Sequence, residues 1–360
     1  MLEELRRHIR RVVRRRACTR GQCDNLLASL TRPGFALHPE SGCRAGVFAI
    51  YVHGSLAGSP SLAALRCAAA VELKIAASYM LDNLADRDTR DSSSRPHAEE
   101  LALALALLEC GNCAASELAS VVGSPRRALA ALLHLHESCL AACHGQFLDA
   151  WLEGREGIGV DEALAATCLK AGGLGRFIGG FAARIATTDP AAVSLAEDLG
   201  HNAFTFVQLA DDLTDACRPD GAPDDLMRGK RTVPTVLFRN NRPATLLAAD
   251  ACTMEPGLRF REYETSGAGL YGVALAEVFL GRAKQDVARL AEMHYRVGDL
   301  ERFIESLASA HIAALDCRVE ATTSASPCRG PGGRLSRRVR CAPRAVPAVH
   351  ARPGAARHAT

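Results

Sequence analysis

Apolar residues recur at helical spacing in long windows of this chain, and runs of β-branched residues are short. The pattern predicts a first helix over residues 1–16, where Leu2, Leu5, Ile9, Val12 and Val13 alternate with seven arginines. A long, Ala-rich apolar stretch predicts a helix over residues 61–84, followed by a polar loop over 87–96. Further helices are expected over 98–108, 127–152, 161–170, 190–216, 225–238, 270–295 and 300–317, joined by short segments containing Gly or Pro. Beyond Cys317 the periodicity stops and Pro, Gly, Ala and Arg take over.

Composition agrees with that reading. Leu and Ala dominate and aromatics make up 5%, so intrinsic propensity favours an all-α fold. A 360-residue chain that is 48% hydrophobic buries a substantial core, and one large domain over residues 20–318 is the simplest division. It leaves a basic amphipathic helix over 1–19 and a disordered tail over 319–360. The net charge of +3 belongs to that tail: residues 324–360 carry eight Arg and no acidic residue, which leaves the rest at about −5.

The arginines of the first helix raise membrane-surface or nucleic-acid contact, but nothing aromatic anchors it. It is read as a solvated helix packed on the domain, and no nucleic-acid partner is expected. No window holds ~18 uninterrupted apolar residues, so no membrane span is expected either. The fourteen cysteines are scattered, mostly within apolar helical patterns, and no signal-peptide pattern precedes them. They read as reduced thiols of a cytoplasmic protein. Cys110-Gly-Asn-Cys113 has the spacing of a zinc or redox pair, but without a second pair it reads as packing or loop thiols.

Two carboxylate clusters change the picture from fold to chemistry. Asp82-Asn83-Leu84-Ala85-Asp86-Arg87-Asp88 and Asp211-Asp212-Leu213-Thr214-Asp215 each end a long apolar helix, with the outer carboxylates at i, i+4 on one face. Like charges at that spacing repel, and they also sit at the negative end of the helix dipole. A cation relieves both costs, and hard carboxylate oxygens with room for water suit Mg²⁺ bridging to phosphates. Basic residues complement them: Gly229-Lys230-Arg231-Thr232-Val233-Pro234 follows the second cluster, and Lys170 lies near another helix end.

The order Asp82-Asn83-x-x-Asp86, Gly145-Gln146-x-x-Asp149, Lys170, Gln208-x-x-Asp211-Asp212-x-x-Asp215 and Gly229-Lys230-x-Thr232-x-Pro234 resembles the polyprenyl synthetase family. The resemblance implies an isoprenoid synthase fold, a single helical-bundle domain around a central cavity. It implies a trans-prenyltransferase, commonly a homodimer, that condenses an allylic diphosphate with isopentenyl diphosphate. By that analogy Asp82, Asp86, Asp211 and Asp215 hold magnesium, while Lys170, Gln208 and Lys230 hold the departing diphosphate. Metals and cations stabilise the leaving diphosphate, the double bond of the second substrate attacks the allylic cation, and a proton is then lost.

The chain also departs from the family. Asn83 stands where a second Asp is usual. The family's basic stretch for isopentenyl diphosphate is reduced here to Gly42-Cys43-Arg44-Ala45-Gly46-Val47, with Arg44 its sole matching cation. The paired Arg after the first motif is blurred into Arg87, Arg90 and Arg95, of which Arg90 and Arg95 are the candidate substrate ligands. A second reading is therefore prenyl transfer to another acceptor such as a peptide; a third is a non-catalytic subunit of an active synthase. Small Ala77 and Ser78, one turn before Asp82, point to a deep pocket and a product of geranylgeranyl length or longer.

Overall fold

The computed structural model describes residues 1–39, 42–59, 61–86, 95–218, 224–241 and 254–324, with side chains as far as His311. Fourteen α-helices and no strand are found among them. In order they are α1 (Leu2–Arg16), α2 (Arg20–Leu30), α3 (Arg44–Ala57), α4 (Leu62–Ala85), α5 (His97–Ser116), α6 (Pro125–Leu152), α7 (Val160–Thr167) and α8 (Gly173–Ala186). Then come α9 (Pro190–Asp215), α10 (Asp225–Arg228), α11 (Val233–Asn241), α12 (Pro256–Thr265), α13 (Ala268–Glu292) and α14 (Gly298–Ser324). A 3₁₀ turn, Glu117–Ser120, follows α5, and a π-helical turn, Cys168–Gly172, separates α7 from α8.

Local chemistry starts the long helices where the pattern expects them. The Ser61 hydroxyl accepts from the Ala64 amide at the head of α4, and Ser124 accepts from Arg127 ahead of Pro125 at the head of α6. Asp189 caps α9 through the Ala191 and Ala192 amides, again with Pro in the first turn. The expected helix over 225–238 is two helices: Gly229, at φ +77°, ends α10 before α11 begins at Val233. The helix predicted to end at Cys317 continues to Ser324, while residues 325–360, and with them most of the expected tail, lie outside the described residues.

α8 escaped the pattern because its glycines read as helix breakers. They instead let two backbones touch: a Cβ on Gly175 would lie 2.1 Å from the Gly200 carbonyl oxygen, and one on Gly200 as close to that of Gly175. Helices α4, α8 and α9 form the centre of the core, with Ala68, Ala69, Ala70, Val71, Phe177, Phe181 and Phe206 fully buried. α1 packs on the domain as expected, burying Leu5, Ile9, Val12 and Val13; buried Arg6 reaches back to the His38 carbonyl at 2.6 Å. Residues 97–120 are long and apolar enough to cross a membrane by length and composition alone, yet Ala104, Leu107, Cys110, Ala114 and Ala115 are buried in the domain, where α5 makes its broadest contact with α4. Cys110 is a buried free thiol, pushed up to about 11 by burial, and Cys113 is half-buried and also free.

Candidate active site

The C-terminal ends of α4 and α9 meet across an open cavity of about 290 Å³, lined by both acidic motifs. Two further elements complete its walls. The end of α6 brings Asp149, and the π-turn between α7 and α8 brings Lys170. Inserting a π-turn rotates the residues it holds relative to a regular helix, a device frequent at functional sites. Here the close approach is made by Gly145, whose hypothetical Cβ would stand 2.2 Å from the Lys170 amide nitrogen and 2.6 Å from the Leu169 carbonyl carbon. Only glycine fits between α6 and this turn.

Lys170 Nζ donates to Asp82 Oδ1 and to Asp149 Oδ2, both at 2.8 Å. Lys230 Nζ, from the segment before α11, donates to Asp86 Oδ2. Burial works against the Lys170 ammonium, but Asp82 and Asp149 outweigh it and hold the group above its ordinary value. Lys230 is raised in the same way, with Asp86 overcoming burial. Asp82 is also raised, chiefly by burial, against the pull of Lys170.

Within the second motif the three carboxylates differ. Asp212 is buried and accepts a 2.8 Å bond from the Gln208 amide, and burial with Asp225 nearby raises it well above the usual carboxylate range. Asp211 and Asp215 are the more open members and line the cavity. His311 of α14 comes within 3.6 Å of Asp211 Oδ1 through Nε2, its Nδ1 lying 2.8 Å from the Leu307 carbonyl oxygen. The Asp211 contact lifts this imidazole above its ordinary value.

Carboxylate oxygens of Asp82, Asp86 and Asp149 lie within 4.8 Å of one another. These are hard oxygen donors at the spacing that one divalent cation and its waters require, so the donor set fits a metal of the Mg²⁺ or Ca²⁺ type.

Of the predicted residues, Asp82, Asp86, Lys170, Gln208, Asp211, Asp215 and Lys230 all line this one cavity, together with Asn83. Arg44 and Arg95 do not. Arg44 is exposed at the first turn of α3, and Arg95 donates to Ser29 Oγ at 3.0 Å and Asn25 Oδ1 at 3.1 Å, between α2 and α5. Arg90, like Arg87 and Asp88, lies outside the described residues. Of the residues one turn before Asp82, Tyr79 lines the cavity whereas Ala77 is fully buried in the core.

Three contributors were absent from the predicted set. Asp149 joins the first motif, and its signal was the Gly145-Gln146-x-x-Asp149 match. Asp225, pushed up to about 7 mainly by burial, closes the cavity beside Lys230, and nothing in its sequence context marked it. His311 lay in an unremarkable stretch of the last helix.

No family model matches the chain. Over 129 residues it is 35% identical to a geranylgeranyl diphosphate synthase of Mycobacterium tuberculosis; the match covers 34% of this chain and spans only 37% of that relative. Among solved structures, a polyprenyl synthase from Caulobacter crescentus complexed with calcium and isoprenyl diphosphate superposes with a TM-score of 0.67 at 20% identity, over 86% of this chain and 96% of that one. The fold is that of the polyprenyl synthases. A geranylgeranyl pyrophosphate synthetase from Pyrococcus horikoshii gives 0.67 at 17% identity (85% and 94%), and a decaprenyl diphosphate synthase from Rhodobacter capsulatus gives 0.67 at 16% (89% and 97%). The polyprenyl synthase fold therefore extends over nearly all of the described residues, well beyond the aligned sequence.

Proposed function

We propose that this chain belongs to the polyprenyl synthetase family and is a Mg²⁺-dependent trans-prenyltransferase, condensing an allylic diphosphate with isopentenyl diphosphate to a product of geranylgeranyl length or longer. One observation carries the reading: two acidic helix ends face a common cavity in which Lys170 and Lys230 bond the carboxylates of the first. Asp82, Asp86 and Asp149, with Asp211 and Asp215, would hold Mg²⁺, which when bound would neutralise charge growing on the diphosphate leaving group. Lys170 and Lys230 supply fixed positive charge at the same place, already anchored and needing no reorganisation during the reaction. Gln208 holds Asp212 in the wall, which leaves Asp211 and Asp215 as the carboxylates of that motif open to the cavity. The cytoplasm is its proposed location, on the strength of its thiol usage.

The placement of Arg44 and Arg95 away from the cavity leaves the second diphosphate to other cations, and of those present Arg231 lines the cavity beside Lys230. Both lysines of the motifs are in place there, which favours catalysis over a non-catalytic subunit.

A second copy of the chain is the proposed partner. Leu129, Leu133, Leu140, Phe147 and Trp151 run along one stripe of α6 and remain 68%, 58%, 73%, 58% and 44% exposed. Together they present on the order of 600 Å² of apolar surface, most of the roughly 800 Å² each partner contributes to a stable interface.

The decisive test is incubation of the full chain with Mg²⁺, labelled isopentenyl diphosphate and a series of allylic diphosphates, with product-length analysis. Elongated products are expected and give the chain length; allylic substrate that binds without elongation would sink the condensation reading in favour of another acceptor. Asp211→Ala is expected to abolish the metal-dependent turnover, and retained activity would remove Asp211 from the metal site.

A further inference from the structure

The apolar side of α1 is consumed by the domain, with Leu5, Ile9 and Val13 fully buried, so beyond exposed Met1 and Leu2 at its start this helix has no hydrophobic face left to insert. What it turns outward is arginine. Three of its seven are committed: Arg6 to the His38 and Ala36 carbonyls, Arg7 to the Glu3 carbonyl, and Arg16 to Glu117. Arg10, Arg11, Arg14 and Arg15 make no hydrogen bond or ion pair among the described residues, and Arg11, Arg14 and Arg15 are exposed.

At the edge of this face lies a small pocket walled by His8, Arg11, Arg15, Arg66 and Glu117. Arg66 enters it from α4, donating through Nη1 to Ser120 Oγ at 3.0 Å and to the Glu117 carbonyl, while its Nε is buried without a partner. Three guanidiniums and one carboxylate thus wall the same small pocket, and that carboxylate is already paired with Arg16. Convergent like charges with unfilled donors are unfavourable until an anion arrives, and the planar guanidinium fork matches phosphate oxygens.

We propose that the arginine face of α1 docks the protein on an anionic lipid surface, with one headgroup phosphate seated between Arg11, Arg15 and Arg66. A single phosphate would use only the pocket. The unpaired Arg10 and Arg14 widen the positive face around the helix, about 100° from Arg11 and Arg15, which suits a layer of charges rather than one ion. Because the apolar stripe is buried, the contact is electrostatic and peripheral, unlike an inserted amphipathic helix. The eight arginines among residues 324–360 give the chain a second basic segment. The proposal draws nothing from the chemistry of the cavity and stands or falls apart from it.

The test is co-sedimentation of the full chain with vesicles of phosphatidylcholine alone and of phosphatidylcholine mixed with phosphatidylglycerol, at low and high salt. Binding to the mixed vesicles only, and release by salt, are expected. Partitioning should fall about fivefold for each arginine replaced, both in R11Q/R15Q and in R10Q/R14Q. Glutamine is a good helix former, so both variants should keep the wild-type melting temperature and cavity activity. Undiminished vesicle binding by R11Q/R15Q would overturn the proposal, as would equal binding to neutral vesicles. A loss confined to R11Q/R15Q, with inorganic phosphate displacing the vesicles, would reduce the site to a single-phosphate pocket and also overturn docking. Duplex RNA bound more tightly than the mixed vesicles would assign the face to nucleic acid instead.

Discussion

Replacing Lys170 by Met removes the one ammonium that joins the first acidic motif to α6. Its side chain is 17% exposed, and those of its partners Asp82 and Asp149 are 27% and 21% exposed. Breaking a fully buried pair costs about 3–5 kcal/mol and an exposed one about 0–1, so this partly shielded double pair is worth roughly 2 kcal/mol. The melting temperature should fall by roughly 3 °C. Turnover should fall much further, by about 10²–10³-fold, because under the proposed reaction a preorganised charge at the leaving group is lost. Metal binding should move the other way. In the wild type a bound divalent cation would share Asp82 and Asp149 with the ammonium; in the variant it would have them to itself. Added Mg²⁺ should therefore raise the melting temperature of Lys170→Met by more than it raises that of the wild type. Thermal melts with and without Mg²⁺, beside steady-state kinetics, read all three effects. Turnover indistinguishable from wild type would refute the assignment, and an equal Mg²⁺ response would refute the sharing of carboxylates.

Gly145→Ala forces a Cβ into backbone 2.2 Å away, so α6 must separate from the π-turn; a loss of about 1–3 kcal/mol in thermal or urea unfolding is expected, with turnover reduced as Lys170 moves off Asp82. Glu72 is 5% exposed, accepts from the Gly46 amide and is pushed up to about 7 by burial, against an ordinary value of 4.5. Its folded form holds the proton between those values while the unfolded form releases it, so this group's contribution to stability is greatest below pH 4.5 and falls by about 3 kcal/mol as the pH rises to 7. Glu72→Gln should reduce that slope in melts taken across the window, leaving the part due to Asp225, also pushed up to about 7, and an unchanged slope would remove Glu72 as a source. Leu140→Arg, on the exposed stripe of α6 proposed as the interface between two copies, should shift sedimentation from the proposed dimer to monomer with little effect on the fold of the subunit.

The chemistry of the site was largely legible where it depends on one helix. Carboxylates at i, i+4 share a face whatever surrounds them, so Asp82 with Asp86 and Asp211 with Asp215 followed from spacing alone. Apolar periodicity likewise located α4, α6, α9 and α13, because each buries a broad stripe. Tertiary structure decided what depends on helices meeting. It brought Asp149 to Asp82, Lys230 to Asp86 and His311 to Asp211, pairs far apart in sequence whose distances no local rule sets. It also moved Arg44 and Arg95 out of the cavity, since a cation's position in sequence does not say which wall its helix faces. The residues that permit these meetings are the glycines of α6, α8 and α9, which by propensity read as breaks in a helix. Their missing side chains are what lets α6 touch the turn carrying Lys170, and α8 touch α9, and that contact exists only between helices, never along one.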